Sequence, residues 1–227
     1  MTVASGVIGL LLAVALCALL HVMVMAFAGR ALGVALDELS FGLGPRLLRL
    51  GKVSIRLLPV GGAVRFQTAG ATMPVDDADI DPQHLEAQPL WAQLFIGASG
   101  CFALMALACA LLGGAAGVQT LAGGFANIVS GALSPLHTAQ ALLARVDAAA
   151  QGLPFSTLLG LTAATTAALN LLPLPGANGG FLLGALGKSA GLGKHWPASV
   201  TQTLLLAYVT LAVSWLVAAV VHLSNGV

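Results

Sequence analysis

The sequence predicts an all-α polytopic membrane protein with a small β-element beside the membrane. Three observations predict it. Of 227 residues, 58% are hydrophobic and only 7% charged, whereas soluble domains carry about a quarter charged residues. Four apolar segments, near 3–27, 92–112, 155–186 and 201–222, reach the roughly 20 residues a spanning helix needs. Eight of the nine basic residues fall between segments one and two or between segments three and four. A water-soluble globule and a disordered chain are excluded. A nucleic-acid-binding chain is excluded too, since nine Lys and Arg face eight Asp and Glu.

The first segment has no Lys or Arg ahead of its apolar run, and that run is too long for a signal peptide. It is read as a retained helix. Basic residues concentrate on the cytoplasmic side of membrane proteins. Arg30, Arg46, Arg49, Lys52, Arg56, Arg65, Lys188 and Lys194 therefore mark the cytoplasmic connections, Arg145 the outer one, and both termini lie outside.

Between the first two spans, residues 37–88 are expected to hold a membrane-proximal β-hairpin. Residues 53–58 alternate in part, and Gly61-Gly62 is a turn signal ahead of residues 63–66. The acidic run 76–82 reads as a solvated loop, because it lacks the spacing and glycine of a calcium loop. The outer loop, 113–154, is rich in Gly and Ala, with one interfacial helix expected at 135–149. Gly113, Gly114 and Gly117 permit close helix contact. The third span is interrupted by Pro173, Pro175, Gly176, Gly179 and Gly180. Such a break is tolerated at membrane depth only where protein or a cavity covers the backbone.

Cys17, Cys101 and Cys109 lie in apolar runs without CxxC or CxxH spacing, so they read as small buried residues. Asp37 and Glu38 read as a solvated pair rather than as an acid and base. His84, His137 and His195 have no partner at ligand spacing, and His222 suits the outer interface. His21 alone is an ionisable group well inside a span, which makes it a functional candidate. Residues four apart on a helix differ by about 40° around its axis, so His21 and Met25 share a face. That is the geometry of the HExxH zinc helix, with Met25 in place of the second His and Val22 in place of the Glu. Met23 lies about 160° away from His21, so a copper site of His21, Met23 and Met25 cannot converge from one helix.

Further motifs extend this pattern in order along the chain. Residues 33–45 (GVALDELSFGLGP), 56–64 (RLLPVGGAV), 89–91 (PLW) and 170–180 (NLLPLPGANGG) follow the His21 helix. Together they resemble the site-2 protease family of intramembrane zinc metalloproteases, whose segments read GV..EEFSIGFGP, R.LPLGGYV, KPLW and NLLPxPxLDGG. The resemblance implies a membrane-associated β-hairpin, a zinc held by two His and one Asp, and a Glu that activates water. It also implies a bacterial inner-membrane location. In this sequence the metal positions hold His21, Met25 and Asn178, the base position holds Val22, and Leu104 replaces an Asn of the family's GPxxN segment.

The expectation is therefore a degenerate member, a pseudoprotease. Catalytic zinc uses three protein ligands plus water, from nitrogen, thiolate or carboxylate, and a thioether prefers Cu(I). Valine takes no proton, and a general base is worth about 10²–10⁴-fold. No cofactor is expected, with His21 vestigial and hydrogen-bonded to Asn178. Val22, Met25 and Leu104 are expected to fill the vacated space. The implied substrate-binding residues are Gly61, Gly62, Asn170, Pro173, Pro175, Gly179 and Gly180. Expected partners are the lipid bilayer and single-span membrane proteins or an active protease, bound by strand addition. Two other readings stand beside this one. The first is a divergent active metalloendopeptidase with zinc at His21. The second is a transporter or channel subunit, for which the spans offer almost no polar path.

Overall fold

The computed structural model describes residues 3–67, 81–191 and 198–225. The acidic residues 76–80, Lys194 and His195 lie outside the described residues. The element order is α1 (Val3–Ala31), β1 (Leu36–Leu50), β2 (Val53–Phe66), a 3-10 turn (Leu85–Ala87), α2 (Leu90–Leu112), α3 (Gly114–Leu133), α4 (Thr138–Gly152), α5 (Phe155–Leu171), α6 (Asn178–Ser189) and α7 (Ala198–Ser224).

Among the described residues three helices, α1, α2 and α7, are long and apolar enough to cross a membrane. The third expected segment departs from this. It folds as α5, 17 residues long, then an irregular stretch, then α6. At 1.5 Å per residue α5 spans about 26 Å, short of a hydrocarbon core of about 30 Å. The segment 113–154, expected to hold one helix, holds two. Its glycines sit where helices meet: a β-carbon on Gly117 would lie 2.9 Å from Cys109 Sγ, and one on Gly124 2.9 Å from Ala168 Cβ. Small residues allow this approach between helices in lipid. Gly113 and Gly114 have open space around them instead.

The centre of the bundle is α1, α2 and α5. Ala163, Ala164 and Ala167 of α5 pack on Cys17, Leu104 and Ala108, all fully buried. This alanine face brings α5 within reach of both neighbours. By contrast α7 buries only 6% of its most apolar stretch, and polar bonds secure it. Ser214 Oγ donates to Ala132 O, and Trp215 Nε1 donates to Ile128 O at 3.0 Å. Gln140 Nε2 donates to Ala218 O, and His222 Nε2 meets Asp147 Oδ2 at 2.7 Å.

The β-element is a hairpin, but not with its turn at Gly61-Gly62. The chain reverses at Gly51-Lys52, where Gly51 adopts φ +58°, a conformation only glycine adopts freely. Both strands then double over. Leu39, Ser40 and Phe41 are paired with Val64, Ala63 and Gly62 on one side and with Val53, Ser54 and Ile55 on the other. The bends fall at Gly42 and Gly44 (φ +92° and +87°) and at Pro59–Gly61 (Gly61 φ +81°). A β-carbon on Gly42 would lie 2.5 Å from Leu58 O, so the doubling requires glycine there. Glu38 braces the ribbon. It accepts from Ser54 Oγ at 2.8 Å and from Arg46 Nη2 at 3.3 Å. The Ser54 bond, then the Arg46, Arg65 and Arg56 charges, hold its carboxyl below the usual range.

The doubled ribbon is anchored by Phe66, 7% exposed, whose ring lies over Gly29 of α1 and packs with Ala28, Val34 and Ile96. Phe66→Ala is expected to cost about 3–5 kcal/mol. Hydrogen exchange should show the loss as faster exchange through residues 60–67, with α5 unaffected. Unchanged protection there would mean that the ribbon is held by something other than this ring.

Candidate functional site

The site forms where four elements converge on the C-terminal half of α1. From α1 come His21, Val22 and Met25, and from α2 come Ile96 and Gly97. The break after α5 delivers Asn178 at the first position of α6, and β2 contributes residues 62–66. Together they line a cavity of about 600 Å³.

The break has a definite local cause. Leu174 O accepts from Ala177 N–H at 3.1 Å, and Gly176 takes φ +84°. Proline followed by a positive-φ glycine is the type II turn pattern. The following glycines let α6 start directly against the end of α5. A β-carbon on Gly179 would overlap Leu171 O and Leu172 O, and one on Gly180 would overlap Leu174 O. Gly179 is thereby tied to the turn, while Gly180 also lines the cavity.

His21 is 6% exposed and packs closely on α2 at Gly100. A β-carbon there would come within 2.5 Å of His21 Nδ1. That Nδ1 is buried without a hydrogen-bond partner. Asn178 stands beside the imidazole, but its amide nitrogen is committed elsewhere, donating to Gly97 O and to Met25 Sδ at 3.1 Å. Both of its N–H bonds are thus used, and only Oδ1 remains for His21. One side chain therefore joins α1, α2 and α6. Coupling between His21 and Asn178 through Oδ1 is expected to be about 0.6 kcal/mol. It should appear in a double-mutant cycle of His21→Leu and Asn178→Leu, and an additive cycle would exclude the contact.

Val22 is 1% exposed and packs with Ala26 and Leu39. It sits beneath β2, where a β-carbon on Gly62 would lie 2.9 Å from Val22 Cγ1. Leu104 does not share this space, contrary to expectation. It belongs with Cys17 and Ala108 in the cluster deeper in the bundle, one helical turn from Gly100. Its side chain packs between α1, α2 and α5.

Of the expected substrate-binding positions, the structure places Gly62, Asn170, Pro175 and Gly180 on the cavity, with His21, Val22, Met25 and Asn178. Gly61, Pro173 and Gly179 are not on its lining. Asn170 Nδ2 donates back to Thr166 O at 2.9 Å, so its Oδ1 is left for the cavity. A second cavity of about 480 Å³ continues toward α7 and shares Asn170, Gly176 and Ala177 with the first. Gly97, Ile96 and Phe181 also line the cavity, although none of them belongs to a recognisable motif. The cluster of small residues at 97–101 (GASGC) was the available signal for Gly97.

Among the described residues no three His, Cys, Asp or Glu side chains cluster as metal ligands. The groups facing one another are an imidazole, a thioether and a carboxamide. Only the first is a zinc donor, so this donor set does not fit the zinc centre that the motifs imply. Hydrolytic steps through such a centre are not derivable from these residues.

A comparison with the curated proteins matches none of them. The model of Peptidase family M50 matches residues 9–216, a stretch that includes most of α1 with His21, the doubled ribbon, the α5–α6 break and most of α7; the chain belongs to Peptidase family M50, the site-2 protease family.

Proposed function

We propose that the protein is a non-hydrolysing member of its family that holds an extended segment of a single-span membrane protein, or of an active protease partner, in the cavity between β2 and α6. The observation that carries this reading is the pairing of a substrate-sized cavity with a donor set unfit for zinc. Among the described residues, 62–66 pair with 36–41 on one side only, and their chain lines the cavity. A free strand edge binds extended peptide through main-chain hydrogen bonds, which need neither metal nor base. Asn170 Oδ1 and the carbonyls around the Pro175-Gly176 turn add acceptors along the same wall.

In this reading α5, the turn and α6 make the fourth crossing. The short α5 is compensated by irregular backbone that lines a cavity, where such backbone is tolerated. The basic residues of the ribbon and Lys188 then face the cytoplasm, and both termini lie outside.

The test uses the full chain in proteoliposomes with a synthetic single-span peptide carrying an extended cytoplasmic flank. A photo-crosslinker at Ala63 should capture the flank, whereas one at Leu133, exposed on α3, should not. N-methylation of alternate flank residues removes the main-chain donors and should abolish capture at Ala63. Capture indifferent to N-methylation overturns strand pairing. Cleavage of the peptide by the unmodified protein, abolished by a chelator, overturns the non-hydrolysing reading and restores the divergent metalloendopeptidase.

A further inference from the structure

The outer half of the β-ribbon is cationic and greasy at once, and nothing in the peptide-binding reading uses it. Residues 36–66 carry five basic side chains, Arg46, Arg49, Lys52, Arg56 and Arg65, against two acidic ones, Asp37 and Glu38. Arg46 and Arg56 are direct register partners across the ribbon. Like charges placed opposite one another are destabilising unless an anion intervenes. Glu38 supplies one carboxylate, and it is shared by Arg46 at 3.3 Å, Arg65 at 3.9 Å and the Ser54 hydroxyl. The remaining cations rest on neutral carbonyls. Arg56 Nη1 donates to Gly44 O at 3.2 Å, Arg49 Nε to Gly51 O at 3.2 Å, and Lys52 Nζ to Leu36 O. Arg56 Nε is buried with no partner.

Apolar side chains are interleaved with these cations and stand clear of the protein. Leu43 (54%), Leu47 (63%) and Leu50 (63%) on β1, and Leu57 and Leu58 (53% each) on β2, are exposed. An exposed apolar patch rimmed with charge marks an interaction surface. Lys and Arg set among leucines is the composition of elements that lie in the headgroup zone. The ribbon starts five residues beyond the end of α1, so it emerges at the membrane face.

From the Arg46–Arg56 pairing and the leucines around it, we propose that the ribbon is a docking surface for the bilayer's own anionic phospholipids. A headgroup phosphate sits between Arg46 and Arg56, and the leucines reach past it into the acyl boundary. Guanidinium groups suit this role because they pair with phosphate bidentately. A phosphodiester between the two arginines would relieve their repulsion. Arg49 and Lys52 at the hairpin tip extend the positive surface to neighbouring headgroups. The inference is independent of whether the protein hydrolyses peptide.

The test is native mass spectrometry of the full chain, delipidated in detergent and offered phosphatidylglycerol or phosphatidylcholine at equal concentration. The expected result is at least about tenfold more phosphatidylglycerol retained, which is about 1.4 kcal/mol of preference. Arg46→Gln with Arg56→Gln should bring the two lipids to near parity. Arg145→Gln, on exposed α4 surface, should leave the preference intact. Equal retention by the unmodified protein, or a preference that survives the double substitution, overturns the proposal. So does complete displacement of the lipid by millimolar inorganic phosphate, which would make this an anion site rather than a lipid site. Hydrogen exchange on the unmodified chain in nanodiscs needs no variant. Amides of residues 43–58 should exchange more slowly in phosphatidylglycerol than in phosphatidylcholine, and identical exchange overturns the proposal independently.

Discussion

Asn178→Asp, made alone, should destabilise the protein by about 2–4 kcal/mol, although it changes one atom and restores the residue of the family motif. The asparagine gives both N–H bonds away, to Gly97 O on α2 and to Met25 Sδ on α1. A carboxylate donates nothing. Each lost bond is worth about 1 kcal/mol, and a part-buried carboxylate with no donor in reach costs about 1–3 kcal/mol more, although Gly97 O keeps its bond within α2. The new negative charge would also face that carbonyl oxygen. The loss should be read as a lower unfolding midpoint in detergent at neutral pH. It should ease on acidification, because a protonated carboxyl regains one donor. Asn178→Leu should cost a similar amount without that recovery. An aspartate variant as stable as the parent would show that this side chain does not hold α1, α2 and α6 together. On this argument Asn178 is a structural crosspiece.

How far the sequence discloses such a site depends on which signals are local. The spans α1, α2 and α7 were legible, because a long apolar run has few alternatives in a membrane protein. The break was legible too, since Pro173, Pro175 and Gly176 cannot continue a helix. The ribbon's turn was not. Gly61-Gly62 and Gly51-Lys52 offer comparable local signals, and only pairing decides between them. The glycines at 61 and 62 serve a bend and the close approach to Val22 rather than a reversal. Helix α3 was hidden for a related reason. Its glycines lower helix propensity, but they gain contact with Cys109, Ala168 and Trp215 on other helices, and composition does not reveal contact. At the site, His21, Val22, Met25 and Asn178 were found by motif order, and they do line one cavity. The partners of Asn178 were invisible, because Gly97 O is a backbone atom that no residue pattern announces.

Val22→Glu, Met25→His and Asn178→Asp introduced together should produce a protein that purifies with one zinc, whereas each single substitution should not. Zinc centres with an open catalytic position take three protein ligands, and the triple change supplies His21, a second imidazole one turn on, and a carboxylate at the start of α6. The backbone already holds these positions around one cavity. Val22 and Gly62 already pack closely, since a β-carbon at 62 would lie 2.9 Å from Val22 Cγ1, so a longer side chain at 22 has to extend into the cavity that Val22 lines. The single aspartate is a liability because its charge is unpaired; in the triple variant that charge meets a cation. Zinc present at 100 times its dissociation constant would add about 2.7 kcal/mol to stability. The unfolding midpoint of the triple variant should therefore fall on chelation, while that of the parent should not move. A triple variant that carries no zinc and ignores chelators would mean that the ligand geometry has been lost along with the ligands. A parent that carries stoichiometric zinc, lost in His21→Ala, would mean that Met25 and Asn178 tolerate the metal after all. Between those two results lies the reading favoured by the donors: an amide and a thioether that tie α1, α2 and α6 together around the cavity.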